Sequence, residues 1–373
     1  GDGYPDVVTG TEVYLNPGHG EFTNVKGMPW WHPMQPPGAA VTTGPPKSIV
    51  GVDVDGDGDN DLVISQPSLT DYPASEKGNI FVLYNPGNGL VADGMGMDLN
   101  GWWSDPNSVQ ALGTNGNKVM EDGTTVPVAN AMKALDIDGD GDSDLVLAFE
   151  DKPPAIWVNP GLKTDGIHPA GDNSPTGDND AADKTATEGE IFTLGTSLTK
   201  VSDIALADLN ADGRTDIVLA SESGFEVILA PAKDNPTAAD WKLQGAAAKK
   251  VSGMGPGEKL KFVKVADMDN DGYPDIYVGN DFFENDYLYI NQQDGTFKDL
   301  ISADNLRLGH PTHYSMGNDI ADINNNGLMD IVSLDMLPED LKTYKTSGLE
   351  YAYPIYQQYL RNGYAPQYMQ NTL

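Results

Sequence analysis

Six times along the chain an aspartate at a ninth position follows a glycine at the sixth, with carboxylates or amides at alternate positions before it. Few folds accommodate such a repeat. The fullest copy is Asp267-Met-Asp-Asn-Asp-Gly-Tyr-Pro-Asp275, with Asp267, Asp269, Asp271 and Asp275 as its acids. Asp53, Asp55, Asp57, Gly58 and Asp61 form a second complete copy, and Asp136, Asp138, Asp140, Gly141 and Asp144 a third. Asp208, Asn210, Asp212, Gly213 and Asp216 carry one amide, and Asp322, Asn324, Asn326, Gly327 and Asp330 carry two. At the beginning of the chain Asp2, Gly3 and Asp6 match only the fifth, sixth and ninth positions, so this copy is expected to be truncated.

The pattern suits a hard divalent cation. Calcium takes six to eight oxygen ligands at about 2.3–2.6 Å. Side chains at positions one, three and five of a tight loop can converge on one centre, a backbone carbonyl near position seven adds another oxygen, and the ninth residue closes the cage. Glycine at six permits the sharp turn. The arrangement is similar to the first half of an EF-hand loop, but no glutamate stands at the twelfth position and a strand follows, Asp-Ile-Tyr-Val-Gly at 275–279. A single Asp-Gly-rich loop is commonly only a solvated turn. Six in register, each feeding a β-branched run, predict bound calcium at about five sites, with a sixth truncated at the N-terminus. The amide-bearing loops should bind most weakly, having fewer charges.

Measured from the first ligand, the copies are spaced by 83, 72, 59 and 55 residues. Around each loop the same strand signals return: one run before it, one straight after it, then an aromatic-rich run ending at a turn. For the fifth copy these are 261–266, 275–279 and 287–290, with 296–300 as a fourth. Equivalent third strands are predicted at 12–15, 80–84 and 155–158, each leading into Asn-Pro-Gly turns. Four strands per repeat is the unit of a propeller blade. The predicted fold is therefore all-β, a single β-propeller over 1–373 with its first and last blades incomplete. The polar stretch 163–190 reads as a flexible insertion and 337–366 as a tyrosine-rich one.

The motif followed by Asp-Leu/Ile-Val resembles the FG-GAP or VCBS repeat of integrin-α-like propellers over nearly the whole chain. Asp267 to Leu300, Ser315 to Asp319, Asp335 to Asp340 and Arg361 to Leu373 resemble more narrowly the secreted bacterial proteins related to cartilage acidic protein, which often carry an ASPIC/UnbV module. That resemblance implies calcium loops between strands one and two of each blade. It also implies six blades represented here and seven in the parent protein, and a secreted or cell-surface location, extracellular or periplasmic.

Formal charge is −34, from 56 acids against 22 bases. Such an excess disfavours nucleic acid, whose phosphates demand a basic face, and anionic membranes. Bound calcium would relieve part of it. There is no cysteine, so disulfides and thiolate metal sites are excluded. No apolar run is long enough for membrane insertion. No nucleophile elbow, phosphate loop, dinucleotide fingerprint or zincin pattern occurs.

Outside the loops, His310 and His313 are three residues apart but suggest no third ligand. Trp30-Trp31 and Trp102-Trp103 offer indole faces suited to sugars, or cover the gaps between blades. The segment 351–360 is predicted to form a short helix carrying Tyr356, with Pro354 confined to its first turn. In an up-and-down blade, connections alternate between the two ends. This places Trp30, Trp31, Trp102, Trp103, His310, His313 and Tyr356 on the face opposite the calcium loops, where a protein or glycan partner is expected. The resulting reading is an extracellular calcium-binding propeller acting as a non-enzymatic binding, adhesion or scaffold module. A carbohydrate-active enzyme and a structural subunit of a surface assembly stand as alternatives.

Overall fold

A computed structural model describes residues 46–66 apart from 55, 57 and 59, then 79–83, 109–111, 119–160, 189–251, 260–280, 285–301, 310–338, 340–346 and 353–373, with the short segments 7–8, 12–14 and 28–29. The chain divides into two compact units. The first comprises Gly1–Phe149, Pro154–Thr193 and Lys233–Ala238, and the second Glu150–Pro153, Leu194–Ala232 and Ala239–Leu373.

In the first unit, β1 (Val7–Val8), β2 (Glu12–Tyr14) and β3 (Met28–Pro29) form a three-stranded antiparallel sheet. Two four-stranded meanders follow. One is β4 (Ser48–Val52), β5 (Asp61–Ser65), β6 (Ile80–Leu83) and β7 (Val109–Ala111), and the other is β8 (Ala129–Leu135), β9 (Asp144–Phe149), β10 (Ala155–Val158) and β11 (Glu190–Thr193). The insertion expected at 163–190 runs from beyond β10 into the first residue of β11, Glu190, and its residues to 188 lie outside the described residues.

The second unit repeats the meander. β12 (Val201–Ala207), β13 (Asp216–Ser221) and β14 (Gly224–Ile228) are joined by β15 (Lys249–Val251), with helix α1 (Ala238–Ala247) between the last two strands. β16 (Leu260–Ala266), β17 (Asp275–Asn280), β18 (Tyr287–Asn291) and β19 (Phe297–Asp299) form the next sheet, and β20 (Gly317–Ala321) pairs with β21 (Asp330–Leu334). Helices α2 (Leu341–Thr346) and α3 (Tyr353–Arg361) occupy the tyrosine-rich segment. Pro354 is the second residue of α3, where its missing N–H costs no helical bond. Thr372 then returns to bridge Ser333 beside β21.

Register is the same in the other five sheets. The last residue of the first strand pairs with the ninth-position aspartate: Val52 with Asp61, Leu135 with Asp144, Ala207 with Asp216, Ala266 with Asp275 and Ala321 with Asp330. Each acidic loop is thus the tight connection between strands one and two. The second strand lies inside its sheet and is covered on both faces, so Asp144–Phe149, Asp216–Ser221 and Asp275–Asn280 are buried throughout. This explains their unbroken apolar runs after the aspartate, where alternation would mark a half-exposed strand.

Sheets pack through apolar clusters inside each unit. Val63, Val82, Leu145, Leu147, Phe149 and Trp157 join the two meanders of the first unit. In the second, Val218, Phe225, Val227, Val278 and Tyr289 join β12–β15 to β16–β19, with the Phe225 and Tyr289 rings edge-on at 5.0 Å. Each fully buried side chain of this kind contributes about 1.5–3 kcal/mol.

The junction between β16–β19 and β20–β21 is instead partly polar. Asp286 is fully buried and accepts from the Asn280 N–H at 2.8 Å, the Tyr277 hydroxyl at 2.7 Å and the Thr312 hydroxyl at 3.0 Å. The Tyr277 hydroxyl also lies 3.1 Å from Ser333 Oγ on β21, and Asn318 on β20 donates to that same serine. Burial pushes the Asp286 carboxyl up to about 6, against the lowering effect of these donors. The folded state therefore favours the protonated acid. Its contribution is complete below the unfolded value near 3.8 and is lost as pH rises through about 6. In melts from pH 5 to 7.5, the midpoint of the unsubstituted chain minus that of Asp286→Asn should fall with rising pH. A difference that is flat or rises over this range would show that the carboxyl stays ionised.

Candidate metal centres

The loops share a hydrogen-bonded frame built on their first and ninth positions. One oxygen of the first aspartate accepts from the N–H at position four or five: Gly56 to Asp53, Gly139 to Asp136, Asp212 to Asp208, Asp271 to Asp267 and Asn326 to Asp322, at 2.7–3.0 Å. Its other oxygen accepts from the glycine at six: Gly58, Gly141, Gly213, Gly272 and Gly327, at 2.7–3.1 Å. These glycines have φ between 83° and 98°, open to glycine and strained for other residues.

The ninth aspartate is buried in Asp61, Asp144, Asp216 and Asp275. Its Oδ2 accepts from the second residue of its own loop: Val54, Ile137, Leu209, Met268 and, at Asp330, Ile323, at 2.7–3.0 Å. In three sheets Oδ1 accepts from a residue at the end of the third strand or within two residues past it: Asn159 to Asp144, Ala230 to Asp216 and Asn291 to Asp275, at 2.7–2.8 Å. The ninth residue was expected to close the cage, and it is also the strut that ties strands one, two and three together. A carboxylate oxygen has two lone pairs, so the two roles are compatible.

Position three joins positions one and nine in two loops, and position five, Asp140 or Asp271, belongs to neither group. Ligand atoms of Asp136, Asp138 and Asp144 lie within 4.8 Å of one another, as do those of Asp267, Asp269 and Asp275. These clusters offer only oxygen, the donor set of a hard cation. Burial pushes Asp144 up to about 7 although Ile137 and Asn159 donate to it, and Asp138 and Asp140 add repulsion. Asp216 rises to about 6 and Asp275 also rises, burial again coming first. Asp138 is raised by burial and then by Asp140. A divalent ion in either cluster would offset both the desolvation and the repulsion.

The amide-bearing loops make further contacts of their own. In the 208–216 loop Arg214 Nη2 pairs with Asp212 Oδ2 at 2.6 Å, and Asn210 Nδ2 donates to the same oxygen at 3.0 Å. In the last loop Asn324 Nδ2 donates to Asp330 Oδ2 at 3.0 Å. Groups on the protein itself thus occupy oxygens that an ion would use. Asp2, Asp6, Asp55 and Asp57 lie outside the described residues.

The aromatic and histidine candidates separate from the loops. His310 packs edge-on to Tyr368 at 4.7 Å, with Nε2 3.2 Å from Gln370. His313 is buried, with Nδ1 3.1 Å from Gln367 Oε1 and its ring 4.2 Å from that of Tyr314. Both imidazoles pin residues 367–370 and share no ligand set among the described residues. Tyr356 lies half-buried on α3, raised by burial and by its hydrogen bond to Tyr368. Trp30, Trp31, Trp102 and Trp103 lie outside the described residues.

Two features escaped the reading of the loops. Position four is left-handed in the five copies among the described residues: Gly56, Gly139, Ala211, Asn270 and Asn325 have φ of 57–77°. Glycine and asparagine at four of these five places were the available signal. The asparagine after the third strand, a turn residue by sequence, also reaches a neighbouring loop. Asn159 Nδ2 donates to Val54 O at 2.8 Å and to Ser143 O at 3.2 Å. Asn291 Nδ2 donates to Leu209 O at 2.8 Å and to Pro274 O at 3.1 Å.

Residues 267–333 match the FG-GAP-like repeat family, so the chain carries an FG-GAP-like repeat there. No curated protein matches it in sequence. Among solved structures, it is similar to the Vibrio cholerae biofilm matrix protein Bap1, at 17% identity over 79% of this chain and 35% of that one, with a TM-score of 0.38. It thus spans about a third of Bap1. An Agrocybe aegerita lectin, described as recognising non-reducing terminal N-acetylglucosamine, matches at 17% identity over 77% and 74% of the two chains, TM-score 0.32. The Photorhabdus luminescens Tc holotoxin pore matches at 14% identity over 83% and 11%, TM-score 0.30.

Ala211, with φ 57°, is the one residue at position four of the five loops that is neither glycine nor asparagine, and alanine lacks the short polar side chain that eases the left-handed region. Ala211→Asn should stabilise the second unit by about 0.5–1 kcal/mol. Chemical denaturation measures it, and a midpoint that stays put or falls would show the position to be unstrained.

Proposed function

We propose that the chain is a calcium-stabilised β-propeller serving as an extracellular binding or adhesion module, with the ions holding the fold and taking no part in turnover. The observation that carries this reading is the five-fold recurrence of one loop frame at the same place in each blade. In two copies that frame gathers three carboxylates within 4.8 Å. Four-stranded antiparallel meanders, with β4 beside β8 in one unit and β12 beside β16 in the other, are what successive blades require. The FG-GAP-like repeat at 267–333 supports the same assignment. Asp136, Asp138, Asp140 and Asp144 would hold one ion, and Asp267, Asp269, Asp271 and Asp275 another. Loops of this kind fill at the millimolar calcium found outside cells.

A protein or glycan partner would meet the ends of the blades opposite the loops. The segment carrying α2 and α3 leaves β21 at that end, and Tyr353 and Ile355 of α3 are 73% and 49% exposed. Burial of such side chains gives a partner its largest gain. Among the described residues no helix is long and apolar enough to cross a membrane.

One ion at a hundredfold excess over its dissociation constant stabilises by about 2.7 kcal/mol. Calcium removal by EGTA should therefore lower the melting midpoint by about 5–10 °C per ion lost. Calorimetric titration would count the ions beforehand. A midpoint that stays constant after all bound calcium has gone would defeat the proposal.

A further inference from the structure

We infer that Asn291 and Asn159 are positioning residues that couple consecutive metal loops, so that loading one loop raises the affinity of the next. The inference rests on the calcium reading above. Each asparagine belongs to one blade and ties it to the blade before. The Asn291 backbone N–H donates to Asp275 Oδ1 at 2.8 Å, fixing the ninth carboxylate of its own loop. Its side-chain amide donates to Pro274 O, position eight of that loop, and to Leu209 O, position two of the preceding loop. The Leu209 N–H is in turn held by Asp216, the ninth carboxylate of that preceding loop, at 2.8 Å. The side-chain oxygen accepts from the Gln293 N–H at 3.0 Å, which fixes which way the amide faces.

The connection therefore runs from Asp216 through one peptide and one side chain to Asp275. Asp216, Leu209, Asn291 and Asp275 are all buried, so water does not compete at any step. The same connection occurs independently in the first unit. Asp61 holds the Val54 N–H, Val54 O accepts from Asn159, and the Asn159 N–H is held by Asp144. Ala230 stands at this place in the Asp208 blade: its N–H reaches Asp216, but it has no amide to extend. In sequence, Asn16 and Asn85 hold the corresponding places in the first two blades.

An ion in the 208–216 loop would fix Asp208 and Asp216, and with them the peptide whose carbonyl faces Asn291. The asparagine then presents Asp275 already oriented, so the 267–275 loop loses less freedom on binding. The effect is reciprocal by linkage. A buried hydrogen bond of ordinary net strength corresponds to about a fivefold change in affinity.

Terbium, an oxygen-seeking lanthanide, tests this on the full chain. Its emission is sensitised by a nearby tyrosine, and Tyr273 sits at position seven of the 267–275 loop. The emission lost in Tyr273→Phe reports that loop alone. Asp212→Lys places an ammonium in the preceding loop while sparing the two aspartates that hold its backbone. This substitution should raise the half-saturating terbium concentration at the 267–275 loop about fivefold. In an Asn291→Ser background it should raise it no further. Asn291→Asp, isosteric but without amide hydrogens, serves as the second variant if the serine chain does not fold. Coupling of equal size with and without the Asn291 amide overturns the inference while leaving metal binding intact. Absence of Tyr273-dependent emission overturns the calcium reading and the coupling together.

Discussion

A buried aspartate that accepts two backbone N–H groups at once is the interaction on which three of the sheets depend. Asp144 and Asp275 show it in full: one oxygen closes the loop between the first two strands, and the other receives the chain as it leaves the third. Because each aspartate also pairs with the last residue of the first strand, a shift of one residue would break both hydrogen bonds and turn the buried faces outward. Register, loop length and the meeting point of three strands are thus set by one side chain. Leaving either oxygen without its donors in such a site would cost about 1–3 kcal/mol.

This arrangement explains how much of the fold could be read from the chain. Ligand spacing, the glycine at six and the apolar run after the ninth aspartate are local, and they placed β5, β9, β13, β17 and β21 close to where the structure has them. Third strands ending in Asn-Pro-Gly were equally legible, as was the short helix carrying Tyr356. Helix α1 was not: it interrupts the usual hairpin between strands three and four, and its packing rests on Gly245, where a Cβ would stand 1.5 Å from Leu194 O. The Asp286 network is another long-range feature. Its partners Tyr277 and Asn280 come from β17 and Thr312 from the segment before β20, and no spacing in the sequence relates them. Asn159 was visible as a turn residue, but its contact with Val54 spans 105 positions.

Two kinds of contact hold neighbouring sheets, and they do different things. Apolar clusters such as that around Leu147 and Trp157 supply most of the stabilisation and tolerate sideways adjustment. The polar contacts fix the sheets at one relative position, because Asn291 or Asp286 is satisfied only there. Where the last sheet has only two strands in ladder pairing, Leu334 is 51% exposed and the polar network is proportionately more important.

The distribution of amides among the loops separates the residues that shape a loop from those that set its charge. Positions one and nine are aspartate in all five copies that contain both, because each supplies acceptors to specific backbone N–H groups. Positions three and five vary, with Asn210, Asn324 and Asn326 standing where other copies have aspartate. Asn326 still accepts from the Leu328 N–H at 2.8 Å, as Asp271 does from Tyr273 at 2.9 Å, so the turn survives the loss of charge. Arg214 goes further and brings a cation of its own to Asp212. Charge at three and five is thus adjustable without disturbing the sheet. The geometry of a common loop can therefore be kept along the chain while its negative charge is graded from one loop to the next.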